Sequence, residues 1–341
     1  MKKIAAALLA VSLILLTACA NSETDVPGND ASQAENQNEE GKVLRLATDL
    51  SEDYVSTVSL KKFAEEVKEK TNGRLEIDIY AGGQLGEEAS CIEQVQMGAL
   101  DFTKSSMGAL TSYNETLSVL GLPYLFKSTD HMWTVLNSQI GQAWLDSMSG
   151  TGMVGLGWID TGSRCFYSVD PLESVSDFKG VKIRSMTSSI YVDTIEALGA
   201  TAITMPANDV YSALQTGVVS AAENVIPAII DRSHQELCHY LLLDAHNFLP
   251  EMILVSESVW NSLSAEDQAI VLECVRNFEE NHRAAQAAAD EAAIETLTNA
   301  DMTVIEVDET FKNALREAEQ PVYDKYGAGN EELVKEIEEM A

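Results

Sequence analysis

Positive charge is scarce in this sequence. Lys and Arg together number 22 against 54 Asp and Glu, a formal net charge of −32, and just eight of the 341 residues are arginine. So acidic a surface repels phosphate backbones and anionic headgroups, which excludes nucleic acid and anionic lipid as partners. Cysteine is also sparse. The five present (Cys19, Cys91, Cys165, Cys238 and Cys274) match no zinc spacing and make no short disulfide scaffold. There is no P-loop and no GxSxG nucleophile elbow. Past the N-terminus, no apolar run is long enough to span a membrane.

Two near-motifs fail on context. Gly150-Thr-Gly152-Met-Val-Gly155 fits GxGxxG by letter, but it follows a helical pattern and opens a strand. The dinucleotide fingerprint needs the reverse order, so that phosphate meets a helix N-terminus. His234 and His239 sit five residues apart. On a helix their side chains diverge by about 140°, which suits a hydrogen-bonded polar residue and not a zinc pair.

What is present begins at the N-terminus. Lys2 and Lys3 precede an apolar run from Ile4 to Leu16 and then Thr17-Ala18-Cys19. The run is too short for an ordinary spanning helix and reads as an export signal, with the tetrad ending at Cys19 resembling a bacterial lipobox. Cleavage would leave Cys19 as a lipid-bearing terminus on the outer face of the cytoplasmic membrane, or in the periplasm. Losing residues 1–18 leaves 20 basic against 54 acidic residues. Residues 20–41 have no aromatic and no basic side chain and read as a disordered tether. The other four cysteines are expected as buried free thiols, one disulfide being the alternative outside the cell.

From residue 42 the pattern alternates. Val43–Thr48 and Leu75–Tyr80 read as strands, with a helix from about Tyr54 to Lys70 between them. Glu87 and Glu88 open a further helix, where acidic side chains suit the positive dipole end, and Leu100–Thr103 is a third strand. That βαβαβ order predicts a parallel, doubly wound lobe. A second such run occupies Gly180–Asn224: strand, helix, short strand, helix, strand. Gln96-Met-Gly98-Ala-Leu-Asp101 and Gln215-Thr-Gly217-Val-Val-Ser220 share one design, a helix end, a glycine cap and a buried strand. Ser264-Ala-Glu-Asp267 reads as a capping box, with Asp267 in place of Glu, opening a helix to about Thr298 that braces both lobes.

Arg164 and Arg184 stand out in apolar surroundings at strand ends or loops. An arginine fork donates two parallel hydrogen bonds to a carboxylate; a structural ion pair is the other use of such a residue. Arg184 closes one strand and Asn224 lies just past another, where an open α/β sheet takes ligands. An acidic protein binding an anion there needs local, desolvated arginines.

Longer runs carry a family resemblance. Asp177–Arg184 (DFKGVKIR), Leu198–Pro206 (LGATAITMP), Asp209–Val219 (DVYSALQTGVV) and Glu223-Asn224 resemble the solute-binding subunit of tripartite ATP-independent (TRAP) transporters, DctP type. Phe63–Val67, Gly83–Gly86, Val95–Asp101, Leu122–Phe126 and Gly162–Arg164 support it in the family's order. The resemblance implies an α/β fold of the two-lobe periplasmic-binding-protein kind, with mixed, mostly parallel sheets and a long bracing helix. It implies closure around one organic acid, hand-over to membrane permease subunits, and neither cofactor nor metal. It gives Arg184 the carboxylate clamp, and makes Arg164 and Asn224 pocket partners. Ser106 falls where sialic-acid-binding relatives carry a pocket glutamate and Ala207 where they carry an aromatic residue, departures that speak against sialic acid. Ser220-Ala221 replaces the usual Asp-Gly, which leaves the shape of that loop open. Trp158 belongs either on a sugar ring or in the core.

The expected ligand-binding set is therefore Arg184, Arg164, Asn224, Glu88, Ser106 and Trp158, with Cys19 lipidated. The expected division is a leader over 1–18, the lipidated cysteine and tether over 19–41, a first lobe from 42–161 and 250–289, and a second from 162–249 and 290–341. The expected solute is a sugar acid such as a uronate, ahead of a C4-dicarboxylate or keto acid. A surface enzyme acting on sugar acids is the alternative, but no general acid and base are placed for it; a sensory receptor is another.

Overall fold

The computed structural model describes residues 41–340, so the leader, Cys19 and the tether up to residue 40 lie outside the described residues. Eleven strands follow in chain order: β1 (Lys42–Ala47), β2 (Leu75–Tyr80), β3 (Phe102–Ser106), β4 (Met153–Ile159), β5 (Ser163–Ser168), β6 (Lys182–Ser185), β7 (Thr201–Thr204), β8 (Ala221–Val225), β9 (Tyr240–Phe248), β10 (Glu251–Ser256) and β11 (Thr303–Glu306). They form two sheets, β2-β1-β3-β10-β4 and β11-β9-β5-β8-β6-β7. The sheets are mixed because each βαβ unit is completed by antiparallel strands. In the first, β10 runs against β3 and β4. In the second, β5 runs against β8 and β9.

Alternation along the strands explains the layers. In β1, Leu44 and Leu46 face a core under the helix Val55–Lys70, while Ala47 faces the opposite core under the helix Glu88–Gln96. The helix Ala265–Asn299 spans 35 residues and packs on both lobes. Val271, Cys274, Val275 and Phe278 join the first lobe's core, and Ala293 and Leu297 join the second's. At its N-cap, Ser264 Oγ accepts from the Asp267 N–H at 3.0 Å. The return bond differs from a standard box, since Asp267 Oδ2 accepts from the Ser264 hydroxyl at 2.9 Å. Asp is one methylene shorter than Glu. No helix among the described residues is long and apolar enough to cross a membrane.

Several boundaries differ from the sequence reading. β3 begins at Phe102 and not at Leu100, because the Ala99 and Leu100 N–H groups are spent on Gln94 O in the helix cap. β5 begins at Ser163, so Arg164 lies within a strand. Asn224 likewise lies inside β8, and Ala221 opens that strand in place of a special loop. The end of the chain needs a larger correction. Val322 and Ile337 belong to the apolar cluster of Met132 and Trp133, and Ile337 O is 2.7 Å from His131 Nε2. The last helix, Glu331–Glu339, therefore covers the first lobe, not the second.

Candidate functional site

Arg184 reaches the cleft through local alternation. Its neighbour Ile183 is fully buried in the second lobe's core, which turns the next side chain to the other face of β6. The guanidinium is 5% exposed, and its Nε and Nη2 donate to Met205 O at 3.2 and 3.0 Å. Among the described residues it has no carboxylate within ion-pair distance. Burial, the largest influence, pulls its pKa below the ordinary arginine value, with nearby Glu223 acting the other way. A buried cation without a counter-charge is costly, and an incoming anion relieves that cost.

Arg164 is held differently. Its Nε contacts Glu223 Oε2 at 2.5 Å and its Nη2 donates to Glu223 O at 3.1 Å. Burial opposes its charge, but Glu223 outweighs burial and leaves the pKa above the usual value. Burial likewise pushes Glu223 up, Arg164 and His246 pull harder, and the carboxyl comes down to about 2. His246 completes the group, with Nε2 3.5 Å from Glu223 Oε2 and Nδ1 2.7 Å from Asp244 Oδ2. Burial would lower the imidazole's pKa, yet the Asp244 and Glu223 carboxylates raise it to about 10.

Arg164, Arg184, Asn224, Glu88 and Ser106 all line one cavity of about 150 Å³ between the two sheets. That is the size of void that accepts a single six-membered ring. Asn224 spends its Oδ1 on the Val225 N–H at 2.9 Å, leaving its amide NH2 for the cavity. Glu88 opens its helix and accepts the Ser106 N–H at 2.6 Å. Ser106 caps the short helix Met107–Leu110.

Trp158 does not belong to the set. It is 2% exposed and stacks edge-on against Trp144 at 6.4 Å in the first lobe's core, because its position in β4 faces inward. The four described cysteines are free and buried. His234 is buried as well, stacked on Tyr167 and hydrogen bonded to its hydroxyl at 2.7 Å, and no metal-ligating cluster occurs among the described residues.

The sequence reading missed the other charged wall. Lys104, at the centre of β3 and 4% exposed, pairs with Asp49 at 3.1 Å and Glu251 at 2.9 Å. Arg232 reaches from the second lobe to Asp49 Oδ2 at 2.7 Å and is steadied within its own lobe by Asn208 Oδ1 at 2.7 Å. Ser51 and Asp231 form a second hydrogen bond across the cleft. A lysine inside the otherwise uncharged strand FTKSS was a signal, since buried lysines are paired. Its partners lie 55 residues before and 147 residues after it in sequence, beyond any local pattern. A roomier cavity of about 430 Å³ lies by Tyr124, Arg316, Glu319 and Tyr323. There Arg316 already rests 5.1 Å from the Tyr124 ring, so the cleft between the lobes is the better-built site for an anion.

Comparison with known proteins agrees with this geometry. The family model for bacterial extracellular solute-binding protein, family 7, matches residues 46–330. A solute-binding protein of Chromohalobacter salexigens is 34% identical over 281 residues, covering 82% of this chain and 83% of its own. The TRAP periplasmic solute-binding protein of Pseudomonas putida F1, solved with bound D-glucuronate, superposes with a TM-score of 0.84 at 33% identity, covering 87% of this chain and 96% of that one. One from Xanthobacter autotrophicus Py2, solved with bound β-D-galacturonate, superposes with a TM-score of 0.83 at 33% identity, covering 86% and 99%.

Proposed function

Since the chain belongs to bacterial extracellular solute-binding protein family 7, the receptor component of TRAP transporters, we propose that its solute is a hexuronate clamped through its carboxylate by Arg184. One observation carries this reading: a buried guanidinium with no carboxylate partner among the described residues faces a cavity of about 150 Å³. The bound glucuronate and galacturonate of the two neighbours support the uronate class.

In this reading Arg184 gives the solute carboxylate two parallel hydrogen bonds, and the Asn224 amide donates to a second oxygen. Arg164, already neutralised by Glu223, acts as a positioned donor and not as a second charge. Met186, Met205 and Pro206 supply apolar surface around the ring. The Arg232–Asp49 contact across the cleft holds the lobes together and keeps water from the clamp. Local charge is required because the chain's net charge of −32 disfavours approach of an anion.

The test is titration of the full-length chain with D-glucuronate and D-galacturonate, alongside a panel of other organic acids. A solute that binds the native state alone raises stability by about 2.7 kcal/mol at 100 times its dissociation constant. A uronate is expected to give the largest thermal shift of the panel. No shift with any uronate, beside a clear shift from another acid, overturns the assignment. We also place lipid on Cys19, which intact-mass measurement of the membrane-associated protein checks; an unmodified Cys19 there contradicts the anchor.

A further inference from the structure

The first lobe's side of the cleft has a charge pattern that the clamp does not use. Five carboxylates line it, those of Asp49, Glu87, Glu88, Asp160 and Glu251. Two cations serve two of them: Lys104 pairs with Asp49 and Glu251, and Arg232 takes the other Asp49 oxygen. Glu88 is among those left over. It accepts from the Ser106 N–H at 2.6 Å and weakly from the Ser105 hydroxyl at 3.5 Å, both through Oε1. Among the described residues no cation lies within ion-pair distance of it, and its Oε2 has no hydrogen-bond partner. Glu251 stands opposite Ser106 in the β10–β3 register, and its buried Oε2 also lacks a partner. Among the described residues the cleft is therefore polarised, with a buried cation that has no ion pair, Arg184, on the second lobe and a half-buried carboxylate that has none, Glu88, on the first.

We propose that Glu88 determines specificity at the far end of the solute, accepting hydrogen bonds from neutral hydroxyl groups and rejecting any solute that carries a second carboxylate there. The proposal rests on Arg184 holding the first carboxylate. Acceptors without donors are satisfied by hydroxyl hydrogens, and a site built to bond a hydroxyl discriminates strongly against an analogue that lacks it. A second carboxylate offers no hydrogen and sets like charges against each other in a desolvated space. Burial is the main reason that the Glu88 carboxyl titrates above its ordinary range. Lys104 and the Ser106 N–H pull it down, and Asp49 and Glu251 push it further up.

Matched open-chain pairs that differ at one terminal carbon test this: D-galactonate against galactarate, D-gluconate against D-glucarate, and 4-hydroxybutyrate against succinate. Calorimetric titration of the full-length chain is expected to show the monoacid of each binding pair favoured about hundredfold or more. In Glu88→Gln the carboxamide removes the charge and adds a donor, so the ratio is expected to narrow at least about tenfold, mainly through tighter diacid binding. A diacid that binds the native chain as tightly as its partner overturns the proposal, with no variant needed. So does a ratio unchanged in Glu88→Gln. If uronates fail to bind while another hydroxy monoacid binds with the ratio intact, the uronate assignment falls and the role of Glu88 stands. If no uronate and no monoacid of any pair binds, both fall.

Discussion

The two strands that feed the cleft, β3 and β8, share one backbone design and carry opposite charge. Each follows a helix ended by a glycine in the left-handed region, Gly98 at φ +73° and Gly217 at φ +71°. The capping bonds match: Gly98 N to Val95 O and Gly217 N to Leu214 O are both 3.1 Å, while Ala99 N to Gln94 O is 2.8 Å and Val218 N to Ala213 O is 2.9 Å. The third residue of each strand is a buried ion, Lys104 in β3 and Glu223 in β8. The fifth faces a counterion of that ion on the antiparallel neighbour, Glu251 opposite Ser106 and Arg164 opposite Val225. A repeated backbone unit thus presents a cation ringed by acids on one side and an acid ringed by cations on the other. Geometry was kept and sign was exchanged. The cavity is thereby lined by carboxylates from the first lobe and by Arg164 and Arg184 from the second.

The largest effect expected on stability comes from breaking either ion set. Lys104→Met leaves Asp49 and Glu251 facing each other, and Glu223→Gln leaves Arg164 and His246 together. Each is expected to cost about 3–5 kcal/mol in urea denaturation of the solute-free chain. A loss confined to one of them breaks the equivalence of the two strands.

The pH dependence separates the second lobe further. His246 titrates near 10 when folded, above its ordinary value, so its contribution is fully present below about pH 6.5 and is lost as pH rises through 10. Glu223 titrates near 2, so its contribution is present above the ordinary carboxylate range and is lost as pH falls through 2. Glu319 runs the other way. It is 1% exposed, neither oxygen has a partner among the described residues, and burial lifts its carboxyl to about 8. Folding favours its protonated form, so stability drains away as pH rises from its ordinary range through 8. Glu319→Gln is expected to be more stable than the native chain by about 1–3 kcal/mol at pH 8 and to show no gain near pH 4. An equal gain at both pH values contradicts this.

Smaller effects sharpen the pairing. Gly217→Ala forces a side chain into the left-handed region in open space and is expected to cost about 1 kcal/mol. Gly98→Ala is expected to cost more, since its added carbon would lie 2.8 Å from Ser258 Oγ. Equal Tm losses would show that Ser258 turns aside freely. The smallest effect is on the solute: Trp158→Phe, in the core, is expected to leave uronate affinity within about twofold, as its ring makes no wall of the cleft.

How much of this was legible beforehand depends on whether the signal was local. Glycine caps, strand alternation and the Ser264 start of the long helix depend on neighbours within a few residues, and they were readable. Arg184 was readable because a charge closing an apolar strand is conspicuous. Trp158 was ambiguous because aromatic residues suit cores and sugar rings alike, and inward packing against Trp144 decides it. Beyond Glu88, which the sequence offered, the charged wall was hidden because Asp49, Lys104 and Glu251 come from the loop after β1, from β3 and from β10. Asp244 and His246 were hidden within β9, whose polar residues look like a loop until their buried partners are seen. The last helix was assigned to the second lobe because its amphipathic face does not reveal which core it covers.

The lone guanidinium is tested most directly by titrating Arg184→Ala with D-galacturonate while following the stability of the solute-free variant. Arg184 has no carboxylate partner among the described residues, so its removal is expected to leave the solute-free fold as stable as before or more so, while uronate affinity falls about thirtyfold or more. Undiminished affinity, or a fold that collapses while the remaining native protein still binds uronate, would contradict the assignment.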